Sequence, residues 1–252
     1  MREIARIIER DAGITGRLLR TVNNAFFAPA SRISSVQQAV PHLGTHTLVS
    51  LILSLECFGN FEDTLAACDF IPASLERKAY LAATIAQELV RDRVAQQDAF
   101  MGALLHDCGL LLVAAKHPEM VEAACKLMRE ESCTLPAAER KLWGVTHAEV
   151  GAYLLGLWGL PYPVVEAVAH CHAPEHHQGN EVDVGAAVYI AAAFADAAMA
   201  GDVASVVLDE AMLVRLGLAG SLPELIATVE RIINRPDDEV SGEGPARAAP
   251  VH

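Results

Sequence analysis

The sequence predicts an all-α protein, and three observations carry that prediction. Alanine and leucine, both strong helix formers, dominate a composition in which aromatic residues make up only 5%. Few stretches alternate apolar and polar residues with the period of two that a half-buried strand needs. Apolar residues recur instead at helical spacing, through Ile4, Ile7 and Ile8 and then through Leu18, Leu19, Val22 and Phe26. A chain of 252 residues that is 52% apolar, with mean hydropathy +0.28, can bury a sizeable core.

The elements follow in order. Residues 1 to 27 read as a helical hairpin with "DAGITG" as its turn. Ser35 with Gln38 three positions on makes a capping box, Gly44 stops that helix, and a longer apolar helix runs to about Phe58. The segment "GNFEDTLAACDFIPA" marks the boundary between an N-terminal helical lobe over 1–60 and a C-terminal lobe over 74–235, the two making one domain. The second lobe should hold helices at 74–94, 98–116 and 118–131. A second capping box, Thr146 with Glu149, then opens a helix that ends at Gly159 before Pro161. Pro163 suits the first turn of a helix over 163–173 and Pro174 ends it; helices near 183–200, 203–216 and 221–234 follow. Residues 236–252 lack apolar periodicity and are expected to be a disordered tail.

A net charge of −13 and a pI near 5.1 argue against nucleic acid as partner, because phosphate contacts need clustered Lys and Arg. A helix-turn-helix in "DAGITGRLLR" has only that short segment in its favour. "MREIARIIERD" is neither a signal peptide nor an anchor, and "LVSLILSL" at 48–55 is too short to span a bilayer, so no membrane association is expected. Cysteines 57, 68, 108, 125, 133 and 171 form no CxxC pair and fit reduced thiols in a cytoplasmic protein.

The chemistry is concentrated in "GALLHDCGLLL", residues 102–112. On a helix, Asp107 shares a stripe with Phe100, Leu104 and Leu111, so its carboxylate faces the core. A buried carboxylate needs a metal ion, a cationic side chain or a set of hydrogen-bond donors. Metal-dependent phosphodiester hydrolysis needs imidazoles and carboxylates converging on one or two cations. On that pattern His172 is an inward candidate while His170 points away, His147 follows the capping Thr146, and Asp196 borders the stripe of Val184, Val188, Ala191 and Ala195. His42 and His46 read as incidental, and His176 and His177 as a solvated surface.

The blocks "LLRTVNNAFF", "ISSVQQAVPHLG", "AFMGALLHDCGLLLVA" and "THAEVGAYLLGLWGLP" occur in an order and spacing that resembles the HDOD (HD-related output domain) family of bacterial signalling proteins, over about residues 2–200. The resemblance implies an all-helical fold of two lobes, the C-terminal one akin to HD-domain phosphohydrolases and HD-GYP cyclic-dinucleotide phosphodiesterases. It also implies a regulatory or output role, in most members without a full metal site. It places His106 and Asp107 at the HD pair, His147 at the next motif's histidine, His172 at the second of paired histidines and Asp196 at the late aspartate. These five are the candidate metal ligands. The departures are a missing first histidine within "LERKAYLAATIAQEL", Cys171 where the first paired histidine belongs, Leu110 where active relatives carry lysine, and no GYP. The expectation is therefore a non-catalytic module with no assigned catalytic or cofactor-binding residue, and either no cofactor or a single divalent metal ion. Its partners would be signalling proteins such as a sensor, a receiver or a cyclase or phosphodiesterase, or a small effector, reached by non-covalent association. The alternative is a degenerate metal-dependent hydrolase.

Overall fold

The computed structural model describes residues 2–23, 27, 29, 32–59 and 72–234. Among them the fold is all-α, with no strand. The first helices are α1 (Arg2–Ile8), α2 (Ala12–Val22) and α3 (Val36–Gly59), the last broken at Gly44, where φ is +78° and ψ is 167°. Then come α4 (Pro72–Leu89), α5 (Arg93–Leu105), α6 (Cys108–Lys116), α7 (Pro118–Glu131), α8 (Leu135–Trp143), α9 (His147–Leu157) and α10 (Tyr162–Ala169). Helices α11 (Val184–Met199), α12 (Glu210–Arg215) and α13 (Leu222–Ile233) complete the described residues, with short 3₁₀ turns at Pro174–His176 and Val203–Ser205.

One continuous apolar core runs from Ala5 to Ile232. Its axis is α11, an alanine-rich helix that packs against α4, α5 and α10 and is buried on most of its circumference. Asp183 caps its start by accepting from Ala186 N–H at 2.8 Å. Against α6 lies α9, and two glycines set their separation. A Cβ on Gly109 would sit 2.0 Å from the His147 carbonyl oxygen and 2.5 Å from Gly151 N, so only a glycine pair allows backbones this close. Together Arg93–Lys116 is long and apolar enough to cross a membrane by length and composition, but 89% of that window is buried inside the protein, where it serves as core.

Several sequence expectations are corrected. "DAGITG" is not a turn: Asp11 caps α2 by accepting from Ile14 N–H at 2.9 Å, and the next residues are its first helical turn. The helix expected over 74–94 stops at Leu89, because Asp92 caps the following helix through Val94 and Ala95 N–H. The single helix over 98–116 is interrupted at His106 and Asp107, with Asp107 at φ −94° and ψ 5°. That over 163–173 ends at Ala169, and Pro174 begins a 3₁₀ turn rather than ending a helix. Instead of one helix over 203–216 there is a 3₁₀ turn and the short α12. Helix α8, capped by Thr134 with Pro136 in its first turn, was not expected. The Thr146–Glu149 capping box forms completely, whereas Gln38 accepts from Ser34 rather than closing the box on Ser35. The boundary expected between two lobes, which falls largely on 60–71, the tail expected from 236 and the Cys57 and Cys68 side chains lie outside the described residues.

Candidate functional site

Helix α4 brings in Lys78, the α5–α6 break His106 and Asp107, α8 Glu139, and the first turn of α9 His147. The turn after α10 supplies His172, and α11 Asp196. All five residues singled out from the sequence are drawn into one cluster. Two members, Lys78 and Glu139, escaped sequence reasoning.

The buried carboxylate finds a cationic side chain. Lys78 Nζ lies 2.9 Å from Asp107 Oδ2 and 2.7 Å from Asp196 Oδ1, bridging the two acids. The lysine side chain is 13% exposed and that of Asp107 4%, while Asp196 is open at 54%. Burial alone would lower the Lys78 pKa, but the charges of Asp107 and Asp196 hold it above the ordinary lysine value. Burial likewise pushes the Asp107 carboxyl up, yet the neighbouring His106, Lys78 and His147 hold it well below the usual carboxylate range. Lys78 falls within "LERKAYLAATIAQEL", the stretch in which the expected first histidine is missing.

Across Asp107 the second half of the cluster is built on Glu139, which is fully buried. Glu139 accepts from His147 N–H at 2.9 Å and from His147 Nδ1–H at 2.9 and 2.8 Å. That carboxylate fixes the ring so that Nε2 faces inward, 3.1 Å from His172 Nε2 and 3.6 Å from Asp107 Oδ1. Burial opposes the charge on His147, but the Glu139 hydrogen bonds and the charges of Glu139 and Asp107 push its pKa up to about 9. His172 moves the other way: burial and then the charge of His147 hold it well below the ordinary imidazole value. Protonated His147 therefore donates to neutral His172. His106, fully buried, donates from Nδ1 to Ala103 O at 2.6 Å, and its Nε2 lies 3.2 Å from Asp107 Oδ2 without an aligned hydrogen-bond partner among the described residues.

One ligand atom each from Asp107, His147 and His172 lies within 4.8 Å of the others, the spacing of a metal centre. The charge distribution fits a divalent ion poorly. Lys78 takes Asp107 Oδ2 and Asp196, the two acids that would neutralise the ion, and sets an ammonium beside the same site. Cys171, at the position of the first paired histidine, is buried, and burial together with the charge of Asp107 raises its thiol pKa, keeping it protonated.

Outside the cluster, His170 stacks on His176 with ring centroids 4.2 Å apart. His177 is buried, not solvated as expected; its Nε2–H donates to His170 O at 3.3 Å, and Arg215 anchors the loop through His177 O and, at 3.2 Å, Gly179 O.

Residues 1–174 match the HDOD domain family, and the chain belongs to that family. It is 27% identical over 183 residues to an uncharacterized protein of Treponema pallidum (strain Nichols), a match that covers 70% of this chain but only 35% of that relative. The chain thus spans about a third of the length of that protein. Among solved structures it is similar to an HDOD domain protein of unknown function from Geobacter sulfurreducens, with TM-score 0.61, 22% identity, and coverage of 91% of this chain and 85% of that one. It is also similar to a protein provisionally named a phosphohydrolase from Shewanella amazonensis SB2B, with TM-score 0.69, 20% identity and coverage of 92% and 83%. At these identities the likeness concerns the fold.

Proposed function

We propose that the protein is a non-catalytic regulatory module of bacterial signal transduction, binding a signalling protein or a small effector. The observation that carries this reading is the Lys78 bridge. The acidic residues of an HD-type site are already paired by an internal cation, which a hydrolytic centre would need to replace with metal. Leu110 offers no charge to a transferring phosphate, and it lies in the wall of the cavity over the cluster.

The second reading, a degenerate metal-dependent hydrolase, draws on one specific feature. Glu139 orients His147 as second-layer carboxylates orient metal-bound histidines, leaving His147, His172 and Asp107 Oδ1 to hold one ion. Such an ion would act as a Lewis acid on a bound phosphodiester and its water.

Elemental analysis of protein purified without chelator or affinity metal separates the two. The expected outcome is no stoichiometric Mn, Fe, Zn or Mg and no turnover of bis(p-nitrophenyl) phosphate with any of these added. About one equivalent of metal in the wild type, lost in both Asp107→Asn and His172→Gln, would establish the hydrolase reading instead.

A further inference from the structure

A cavity of about 690 Å³ opens over the cluster, within the size range of small-molecule sites. Its walls are apolar, with Leu75, Leu110, Met128, Leu135 and Val206 among them, and Lys78, Asp107, His147, His172 and Asp196 reach it as a polar patch. The lining gives an anion little free charge, since the ring nitrogens of His147 are engaged by Glu139 and His172. Lys78 is the one Lys or Arg among the described lining residues, and its ammonium is shared between two carboxylates. Helix α8 starts at the rim, but Pro136 has no N–H and Ala137 N–H is taken by Thr134 Oγ1 at 3.4 Å, which reduces what its first turn offers to Leu135 N–H. A single amine, which carries half the charge of a divalent ion, has one exposed acceptor: Asp196 gives Oδ1 to Lys78 while its side chain stays 54% exposed. With Glu139 behind His147, three carboxylates stand against Lys78 and a protonated His147.

We infer that this cavity binds a small, mainly apolar molecule carrying a protonated amine, the amine pairing with Asp196 and the apolar body filling the space between Met128, Leu135 and Val206. The inference rests on the non-catalytic reading of the same site and names its ligand class. Phosphate-bearing nucleotides are the competing class.

Two naphthalene dyes of opposite charge test it on the full chain: dansylcadaverine, which carries a primary amine, and 1-anilinonaphthalene-8-sulfonate, an anion. The amine dye should bind saturably at one per chain with blue-shifted emission and resist displacement by cyclic di-GMP or pyrophosphate. Asp196→Asn should weaken it about tenfold, as loss of a charge-assisted contact does. Ala193→Trp, which fills the cavity from α11, should abolish binding while the helical circular dichroism persists. Absence of saturable binding, tighter binding of the anionic dye, displacement by the phosphates, or an Asp196→Asn variant that binds like wild type would each overturn the inference. Binding is measured before and after chelation, so that metal found in the protein counts against the non-catalytic reading, while the chelated sample still decides the ligand class.

Discussion

Two polar anchors in this molecule solve the same burial problem by different means. In the N-terminal helices Asn23, at the end of α2, donates from Nδ2 to Leu19 O at 2.6 Å and to Ile33 O at 2.8 Å, and accepts from Ile33 N–H at 2.8 Å. A neutral amide is satisfied by backbone alone, and it ties α2 to the strand-free segment leading into α3. Around Asp107 the partners are side chains from separate helices, most of them ionisable, and the cluster opens onto a cavity. The first arrangement needs only local chain geometry. The second holds together only while several distant helices keep their places and several groups keep their charges, which is the condition under which binding and fold can be coupled.

The largest expected effect follows from the close contact that brings His147 to Asp107. Gly109→Ala sets a methyl against the His147 carbonyl and Gly151 N, backbone atoms that cannot swing aside, and should cost at least about 4 kcal/mol or prevent folding. Gly102→Ala is the control. Its Cβ would meet Val188 Cγ2 at 3.2 Å, a side chain that can shift, and about 1 kcal/mol is expected. Urea midpoints that fell equally for both variants would show that the α6–α9 approach is not what assembles the cluster.

Much of this arrangement was legible before any coordinates. Periodicity and caps gave the all-α class and the complete Thr146–Glu149 box, and the buried stripe through Phe100, Leu104 and Leu111 exposed Asp107 as a carboxylate in need of a partner. Helix stripes and the Thr146 cap brought out His172, Asp196 and His147 as candidates, and the family resemblance grouped them with Asp107. What stayed hidden were the residues whose role exists only in three dimensions. Lys78 sits in a helix rich in charges, and nothing in its local pattern separates a lysine that reaches Asp107 29 residues away from one that faces solvent. Glu139 belongs to α8, a nine-residue helix too short to show periodicity and bracketed by Thr134 and Gly144. Both caps were readable signals, and would have placed Glu139 on an element ending just before His147.

The next effect is a pH dependence that the Asn23 anchor lacks. His147 is raised from an ordinary value near 6.5 to about 9, so the stability it contributes is fully present below pH 6.5 and lost as pH rises through 9. His172, lowered in the folded state, has the opposite sign: its contribution declines as pH falls below its ordinary value, because the unfolded chain then takes a proton that the folded chain refuses. Stability should therefore peak near neutrality. Glu139→Gln removes the carboxylate that holds the imidazolium and should cost about 3 kcal/mol at pH 6.5, with that cost shrinking toward pH 9. Denaturant titrations at the two pH values check this, and a cost independent of pH would mean that His147 is neutral throughout.

The smallest effect sharpens the contrast from its other side. Asn23→Ala removes three hydrogen bonds and leaves the Ile33 N–H and the Leu19 and Ile33 carbonyls without their side-chain partner. Because the site is only half-buried, water can reach some of these groups, and about 1–2 kcal/mol is expected. No charge is involved, so this loss should be the same at pH 6.5 and pH 9 and should leave dansylcadaverine binding unchanged. If Asn23→Ala instead weakened dye binding, the N-terminal helices would be energetically coupled to the cavity, and the amide clamp would be part of the binding machinery rather than a local fastening of the fold.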